Sequence, residues 1–469
     1  MQPSPTESRT LWFDQALLPS GWARSVRLTL AEGRITAVDT GVGRAAHETD
    51  HGAALPGVAD VHSHAFQRAM AGLTEGRGPA GAGLGGSGGE RDDFWSWRAL
   101  MYRFLDRGGP DEIEAITAYA FMEMLEGGFT RIAEFHYLHN DPAGATYADP
   151  AELTARVVEA ARATGIGLTL LPVFYAHATF GGIEPTHGQR RFITDLVRFA
   201  DLVERGRGLT AALPDANVGV APHSLRAVTP DELAAMPGLA AGGPVHIHIA
   251  EQTREVDDCL AWSGARPVEW LLDHASVDPR WCLIHATHVT QAEWRGVVAR
   301  GAVVGLCPVT EANLGDGVFP AAAYVEAGGQ FGIGTDSNVQ IGLSEELRML
   351  EYSQRLSLRG RAVMADAERS TGRALFDRAH AGGAQACGVA RTGIEAGAPA
   401  DILALDTDRI GFAGRSGDVV LDSWIFGGDR SALRSVWRRG EQVVVNGRHV
   451  AREALEARFR RALSTVLAA

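Results

Sequence analysis

The middle of the chain alternates short apolar runs with amphipathic helical patterns. Eight runs have the length and the β-branched content of buried strands, for example VADVHSH (58–64) and QFGIGTDS (330–337). The other six are TRIAEFHY, IGLTLLPVFY, NVGVAPHS, PVHIHIAE, WCLIHATH and AVVGLCP. Helical patterns such as DPAELTARVVEAARATG (149–165) lie between most of them. Strands that alternate with helices predict a parallel α/β sheet, and eight such units predict a closed (β/α)8 TIM-like barrel over residues 56–390.

Both ends of the chain have a different pattern, in which apolar and polar residues alternate. TLWFDQALL (10–18) is typical of a short strand, and Asn446-Gly447 between valine-rich flanks predicts a two-residue hairpin turn. We therefore expect residues 1–55 and 391–469 to form one small β-sandwich domain beside the barrel. The glycine-rich run over 75–93 predicts a loop between the first two barrel strands, with a lid over the site as the alternative.

Composition restricts the class of protein. A hydrophobic content of 45% and a charged content of 22% are typical of a globular chain, and the net charge of −13 argues against nucleic acid or an acidic membrane surface as a partner. Neither a signal peptide nor a membrane span is visible, and the four cysteines have no paired spacing, so we expect a cytoplasmic protein with buried thiols. All 44 basic residues are arginine, which excludes lysine catalysis and a carboxylated lysine between two metals.

His62 and His64 lie two residues apart at the end of the first predicted strand. Since residues i and i+2 of a strand point to the same face, the two imidazoles aim at one point, as the first two ligands of a transition metal would. For this motif alone, a pair of surface or core histidines is the alternative.

Further polar residues follow later strands, at the rim where such barrels keep their active sites. His248 ends the fifth predicted strand with Glu251 just beyond it, His285 ends the sixth, and Asp336 ends the eighth. We expect His248 as the third metal ligand and His246, two residues earlier, in the barrel interior. Three histidines and a carboxylate around an open coordination position predict a catalytic metal site.

The order of these residues resembles the amidohydrolase superfamily. TGIEAGAPADILALD (392–406) is similar to the return of that superfamily into its β-sandwich, and the missing lysine leaves the mononuclear, deaminase-like branch. The motifs HSHAFQRAMAGL, FWSWRALMYR, AEFHYLHND, HIHIAEQ and TEANLGDGVFP resemble the N-formimino-L-glutamate deiminases of histidine degradation. The resemblance covers nearly the whole chain, and the glycine-rich loop is longer than this family leads us to expect.

The resemblance implies hydrolysis of N-formimino-L-glutamate to N-formyl-L-glutamate and ammonia, with one Zn²⁺ per chain that makes hydroxide available near neutral pH. The implied ligands are His62, His64, His248 and Asp336. Glu251 is then general base and acid, His285 hydrogen-bonds the nucleophile or the tetrahedral centre, and Asp336 accepts a proton. The implied substrate-binding residues are Gln67, Arg98, Tyr137, His223 and Arg226.

A substrate with two carboxylates requires a basic pocket in this acidic chain, and the planar guanidinium of arginine matches a carboxylate. His223 and Arg226 follow the fourth predicted strand and Tyr137 follows the second, so the barrel alone places them at the rim. As alternatives, Arg98 and Arg226 are salt-bridged surface residues, and Gln67 and Tyr137 only orient ligands. The resemblance also implies a homodimer, in which Arg98 lies either in its own site or near that of the partner.

Two other functions stay open at this point. A mononuclear deaminase of another substrate, such as guanine or a guanidino acid, would share the metal site, and for an aromatic base it would require a flat apolar slot. A non-catalytic scaffold on a decayed barrel is the second alternative. Loss of catalysis in such a scaffold should first remove metal ligands, and this chain keeps all the ligands of the superfamily pattern.

Overall fold

The structure is a computed structural model that describes residues 8–75 and 94–468, and every element below lies in this part of the chain. The strands are β1 (Arg9–Leu18), β2 (Gly21–Ala31), β3 (Arg34–Asp39), β4 (Ala53–Pro56), β5 (Val58–Ser63), β6 (Phe129–His136), β7 (Gly167–Phe174), β8 (Asn217–Val218), β9 (Ala221–Pro222), β10 (Val245–Ile249), β11 (Trp281–His285), β12 (Val303–Leu306), β13 (Gln330–Ile333), β14 (Ile402–Leu405), β15 (Leu433–Arg438), β16 (Glu441–Val445) and β17 (Arg448–His449). The α-helices are α1 (Phe94–Leu105), α2 (Pro110–Gly127), α3 (Glu152–Thr164), α4 (Leu196–Thr210), α5 (Pro230–Ala240), α6 (Thr253–Ser263), α7 (Pro267–His274), α8 (Gln291–Arg300), α9 (Pro308–Leu314), α10 (Ala321–Glu326), α11 (Leu343–Leu358), α12 (Thr371–Ala386), α13 (Asp418–Gly427) and α14 (Arg452–Ala468). Short 3-10 helices cover Ala65–Met70, His187–Gln189, Ile410–Phe412 and Arg430–Ala432.

The middle strands form a closed parallel barrel. Their order around the barrel is β5, β6, β7, β8 with β9, β10, β11, β12 and β13. Ile333 of β13 pairs with Asp60 of β5, and a parallel bridge from Val220 to Val245 closes the ring between the fourth and fifth strands. All eight predicted strands are present, the fourth as the two short pieces β8 and β9. The predicted (β/α)8 barrel is therefore confirmed.

The two chain ends form a second, mixed sheet with the order β17-β16-β15-β14-β4-β1-β2-β3. Its two halves enclose a core in which the rings of Phe13 in β1 and Trp437 in β15 lie 6.0 Å apart. Strand β4 leads directly into β5, so this sheet and the barrel share one continuous chain. Asn446 and Gly447 have φ angles of 50° and 74° and connect β16 to β17, which confirms the predicted hairpin.

The last helix differs from the predicted division of the chain. The sequence assigns all of 391–469 to the sheet domain, but α14 packs on barrel helix α2, where the rings of Tyr119 and Phe459 stack at 4.0 Å. The apolar stripe of α14, which includes Leu455 and Val466, is buried by this contact and so needs a helical partner.

Two other sequence-based expectations concern the cysteines and the glycine-rich loop. All four cysteines are unpaired and buried, as expected. Apart from Glu75, the predicted loop over 75–93 lies outside the described residues. None of the helices in the described ranges combines the length and apolar composition needed to cross a bilayer.

Helix α12 lies unusually close to the barrel wall. A Cβ added to Gly382 would lie 1.9 Å from the carbonyl oxygen of Phe331 in β13, and one added to Gly383 would lie 2.9 Å from that of Ala59 in β5. The helix therefore contacts the backbone of the two strands that lead into the candidate site, and a side chain at either glycine would separate them.

We expect Gly382→Ala to lower the midpoint of thermal unfolding, because the added methyl group must push α12 away from β13. Overpacking of this kind costs about 1–3 kcal/mol of unfolding free energy. Gly208→Ala is the matched control, since it lies inside α4 and no described atom comes within 4 Å of the added Cβ. Scanning calorimetry should show an unchanged or slightly higher midpoint for Gly208→Ala. A Gly382→Ala protein as stable as wild type would contradict the close packing.

Candidate metal centre and active site

Four polar side chains converge at the carboxyl-terminal rim of the barrel. His62 and His64 lie at the end of β5, His248 lies in β10, and Asp336 follows β13. The Nε2 atom of His248 lies 3.0 Å from that of His62 and 3.3 Å from that of His64. Oδ1 of Asp336 lies 3.4 Å from His62 Nε2 and 3.5 Å from His64 Nε2. These are the four side chains predicted as metal ligands, and all four are buried.

Backbone carbonyls hold two of these imidazoles. Nδ1 of His64 donates to the carbonyl oxygen of Phe135 at 3.1 Å, and Nδ1 of His248 donates to that of His223 at 3.0 Å. Burial lowers the pKa of His64 to about 4 and the pKa of His248 well below its ordinary value, so both rings are neutral at pH 7. Each ring therefore has its lone pair on Nε2, and the two lone pairs face each other.

This donor set fits a divalent transition metal. Neutral imidazoles and one carboxylate are ligands that Zn²⁺ and related ions prefer, and two ligands that share a metal at about 2.1 Å in tetrahedral geometry lie about 3.4 Å apart. Hydrogen bonds from Nδ1 to carbonyl groups are the usual orientation of metal-binding histidines. Burial acts to raise the pKa of Asp336, but the contacts with the surrounding histidines, above all the hydrogen bond with His62, outweigh it and hold the pKa below its usual range. The carboxylate is therefore ionised.

Glu251 and His285 lie beside this cluster. Nε2 of His285 lies 3.8 Å from Glu251 Oε1 and 3.8 Å from Asp336 Oδ2, while its Nδ1 lies 3.2 Å from Glu311 Oε1. Burial raises the pKa of Glu251 to about 7, although the neighbouring His285 charge acts to lower it. Burial acts to lower the pKa of His285, but Glu251, Glu311 and Asp336 outweigh it and raise the pKa to about 10. The site therefore has a carboxyl group that exchanges protons near neutral pH beside a charged imidazolium.

The strand ends that carry these groups have a left-handed backbone. The φ angles are 68° at His285, 46° at Asp336 and 57° at Asn338, a region that residues other than glycine rarely adopt. Each such residue costs of order 1–3 kcal/mol and persists only where its surroundings impose it. Here the side-chain amide of Asn338 donates to the carbonyl oxygens of His64 at 3.2 Å and of Asp336 at 2.9 Å, and thereby joins the ends of β5 and β13.

A cavity with an empty volume of about 540 Å³ adjoins the cluster. Its wall includes all five residues predicted to bind substrate, namely Gln67, Arg98, Tyr137, His223 and Arg226. The rest of the wall is largely aromatic or apolar, with Phe94, Trp97, Met101, Tyr102, Tyr175 and Phe192. The sequence does not predict these six residues in the pocket, because apolar residues of a pocket wall and of a core have the same pattern along the chain.

Arg226 is a buried cation in the wall of this cavity. Arg226 is 7% exposed, and its Nε has no acceptor among the described residues. The side chain forms no ion pair or hydrogen bond with those residues. Burial acts to lower the pKa of Arg226, but Glu255 and Glu251 outweigh it and raise the pKa. Glu255 itself accepts the backbone N–H groups of Ala250 and Glu251 at 3.2 Å and 3.3 Å. A buried guanidinium without acceptors is costly, so this position suits an anionic ligand.

The other predicted substrate-binding residues contact one another, a proposed metal ligand or an aromatic ring beside the pocket. The side-chain amide of Gln67 donates to the hydroxyl group of Tyr137 at 3.0 Å, and its Oε1 has no donor among the described residues. The rings of His223 and His248 lie 4.8 Å apart. Arg98 lies over the ring of Trp95 at 4.5 Å and lines the pocket of its own chain.

Two further polar residues, His246 and Glu311, lie in or near the strands of the barrel. His246 is fully buried and donates through Nε2 to the carbonyl oxygen of Ala386 at 2.8 Å, and its expected place in the barrel interior stays a prediction. For Glu311, by contrast, the sequence does not predict the contact with His285. It lies in α9, and no fixed spacing along the chain relates a residue after one strand to a residue after the next.

Comparison with known proteins relates the whole chain to enzymes. Residues 53–450 match the amidohydrolase family, and residues 9–52 match the N-terminal domain of formimidoylglutamate deiminase HutF. A formimidoylglutamate deiminase from Pseudomonas aeruginosa is 47% identical over 97% of this chain and 99% of its own length. An 8-oxoguanine deaminase from the same organism is 29% identical over 88% of this chain and 87% of its own length.

Solved structures show the same relationship. An amidohydrolase from Brucella melitensis is 52% identical, with a TM-score of 0.93 over 98% of this chain and 100% of its own. An adenosine deaminase from Xanthomonas campestris with bound zinc is 21% identical and shares the fold, with a TM-score of 0.80 over 100% of both chains. The family match covers both the barrel and most of the second sheet, and the chain therefore belongs to the amidohydrolase family.

Proposed function

We propose that this amidohydrolase is a formimidoylglutamate deiminase, which converts N-formimino-L-glutamate and water into N-formyl-L-glutamate and ammonia in histidine degradation. The observation that carries the proposal is one pocket with a histidine–aspartate cluster and the buried Arg226, whose Nε has no acceptor among the described residues. A formimino carbon beside the cluster and a carboxylate on Arg226 account for both features. The 47% identity to the Pseudomonas aeruginosa deiminase over nearly its whole length supports the same substrate.

The proposal includes one Zn²⁺ per chain. The proposed ligands are His62, His64, His248 and Asp336. His62, His64 and Asp336 lie close enough to share one ion, and Nε2 of His248 lies within 3.3 Å of both other histidines. When bound, the ion supplies Lewis-acid chemistry and makes water a stronger nucleophile at neutral pH. The facing lone pairs of two neutral imidazoles support a cation at this position, and the absence of lysine from the chain supports a single ion.

Glu251 is the proposed proton carrier. It takes a proton as water adds to the formimino carbon and returns one to the nitrogen that leaves as ammonia. A pKa of about 7, which burial produces, allows both transfers near neutral pH. His285 faces Glu251 and Asp336 with Nε2 and stabilises the negative charge of the addition step. Glu311 holds the imidazole of His285 through Nδ1 and is a positioning residue.

Arg226 is proposed to bind one substrate carboxylate, because its planar guanidinium matches that group and its Nε has no acceptor among the described residues. The other residues proposed around the glutamate part are Gln67, Arg98, Tyr137 and His223. Oε1 of Gln67 is available to accept an N–H group of the substrate. The homodimer and the cytoplasmic location expected from the sequence stay predictions.

The decisive experiment compares substrates. Purified protein with a measured zinc content should release ammonia from N-formimino-L-glutamate much faster than from guanine. Guanine is the competitor of choice because the pocket has an aromatic wall and an 8-oxoguanine deaminase is among the relatives. Faster turnover of guanine would overturn the proposed substrate, and no turnover of either would favour a non-catalytic protein.

Asp336→Asn should lose bound zinc and ammonia release together, because it keeps the shape of the side chain but removes the negative charge. Elemental analysis per chain and an ammonia assay measure the two quantities. Asp201→Asn, a change of an exposed aspartate on α4, is the control and should keep both. A fully loaded and active Asp336→Asn protein would contradict the ligand assignment, and two tightly bound ions per wild-type chain would contradict the single ion.

Glu251→Gln should keep zinc and substrate affinity but lose proton transfer. Turnover is expected to fall by about 10²–10⁴-fold, the usual contribution of general acid–base catalysis. Steady-state kinetics and zinc content on the same sample separate a loss of chemistry from a loss of metal. Turnover within a few-fold of wild type would show that another group carries the proton.

Arg226→Met keeps much of the side-chain volume and removes the charge. Truncation of one partner of a buried charge pair costs about 2–5 kcal/mol, which lowers kcat/KM by about 30-fold or more. A substrate analogue without the matching carboxylate should be turned over equally poorly by wild type and variant, since the contact is already missing. An equal loss on both substrates would show that Arg226 is structural.

A further inference from the structure

A second cavity adjoins the active-site pocket. We call it the Trp95 vestibule, and the charged residues and tryptophans of its lining are Trp95, Arg98, Arg226, Arg254, Asp258 and Trp262. Its empty volume is about 980 Å³, and it shares Arg98 and Arg226 with the pocket. A ligand in the vestibule therefore contacts two of the arginines proposed for substrate binding.

Three guanidinium groups surround the indole ring of Trp95. Arg98 lies at 4.5 Å, Arg254 at 4.7 Å and Arg226 at 5.9 Å from the ring centroid. Aromatic faces attract cations, but three positive charges around one ring repel one another unless an anion joins them. The chain as a whole carries a net charge of −13, so this cluster inverts the overall sign locally.

Few acidic groups face these arginines. Oδ2 of Asp258 lies 3.6 Å from Nε of Arg254, across one turn of α6. Glu251 belongs to the catalytic cluster, and Glu255 is occupied by backbone N–H groups. In the part of the chain that the structure describes, the vestibule thus has a surplus of positive charge.

Arg254 occupies an unfavourable place in its helix. It lies in the first turn of α6, where the unpaired N–H groups carry a partial positive charge that disfavours cations. The side chain of Arg254 is 64% exposed and its ion pair with Asp258 is long. Stabilisation of the helix therefore does not explain why an arginine occupies this position. The three arginines instead form a series, from the exposed Arg254 through the half-buried Arg98 to the buried Arg226.

We propose that the Trp95 vestibule is an outer anion site that collects the dicarboxylate substrate, and that Arg254 is the exposed residue that attracts it. This inference rests on the proposed function, because it takes N-formimino-L-glutamate as the ligand. A local positive potential raises the concentration of anions and their association rate, and salt screens it. Since the contact precedes the reaction and does not strengthen during it, it lowers KM and leaves kcat unchanged.

Arg254→Gln in the full-length, zinc-loaded enzyme is the test. At low ionic strength, KM for N-formimino-L-glutamate should rise by about three- to tenfold while kcat stays within about twofold, and the difference should largely vanish near 0.5 M salt. Arg254→Lys keeps the charge and should keep the wild-type KM. Asp258→Asn removes the opposing charge and should lower KM, a change of opposite sign that damage to the fold would not produce.

Arg295→Gln is the matched control. Arg295 is also an exposed arginine over a tryptophan, 5.5 Å from the ring of Trp294, but it lies on α8 outside both cavities. The change in net charge is the same, and KM should not move. An Arg254→Gln effect equal to that of Arg295→Gln, or one that persists at high salt, overturns the inference alone. A wild-type enzyme that does not hydrolyse N-formimino-L-glutamate overturns the proposed function, and the inference with it.

Discussion

The facing Nε2 lone pairs of His64 and His248 are the constraint on which the rest of the site depends. Both rings are neutral because they are buried, and both are oriented by carbonyl groups of neighbouring segments, those of Phe135 and His223. Two unshared lone pairs 3.3 Å apart are unfavourable in a low-dielectric interior unless a cation joins them. The two rings face each other only where the closed barrel brings the ends of β5 and β10 together.

The strand ends store strain to achieve this arrangement. His285 and Asp336 adopt positive φ angles, and the buried amide of Asn338 binds the carbonyl groups that such a backbone exposes. Outside the barrel, Gly382 lets α12 contact the backbone of β13 directly. The residues with positive φ angles therefore follow closely packed strands. Such packing is what allows unfavourable backbone geometry to persist at functional sites.

Charge is distributed unevenly around the candidate site. The pocket wall carries Asp336 and Glu251 as well as Arg226, whose Nε has no acceptor among the described residues, together with aromatic side chains. A carboxyl cluster and a buried cation in one pocket suit a molecule with a reactive carbon at one end and a carboxylate at the other. A strongly acidic chain can bind such an anion because Arg226 is buried, where the charges of the outer surface are screened from it by solvent.

The sequence by itself determined the barrel, the sheet of the chain ends and the set of rim residues, because these follow from short-range rules. Side chains two apart on a strand share a face, and parallel strands present their carboxyl ends at one rim, so His62 and Asp336 meet although far apart in the chain. Only the tertiary structure decided that Glu311 contacts His285, that α14 packs on α2, and that three arginines surround Trp95. Those contacts depend on the rotation and docking of helices, which no spacing along the chain specifies.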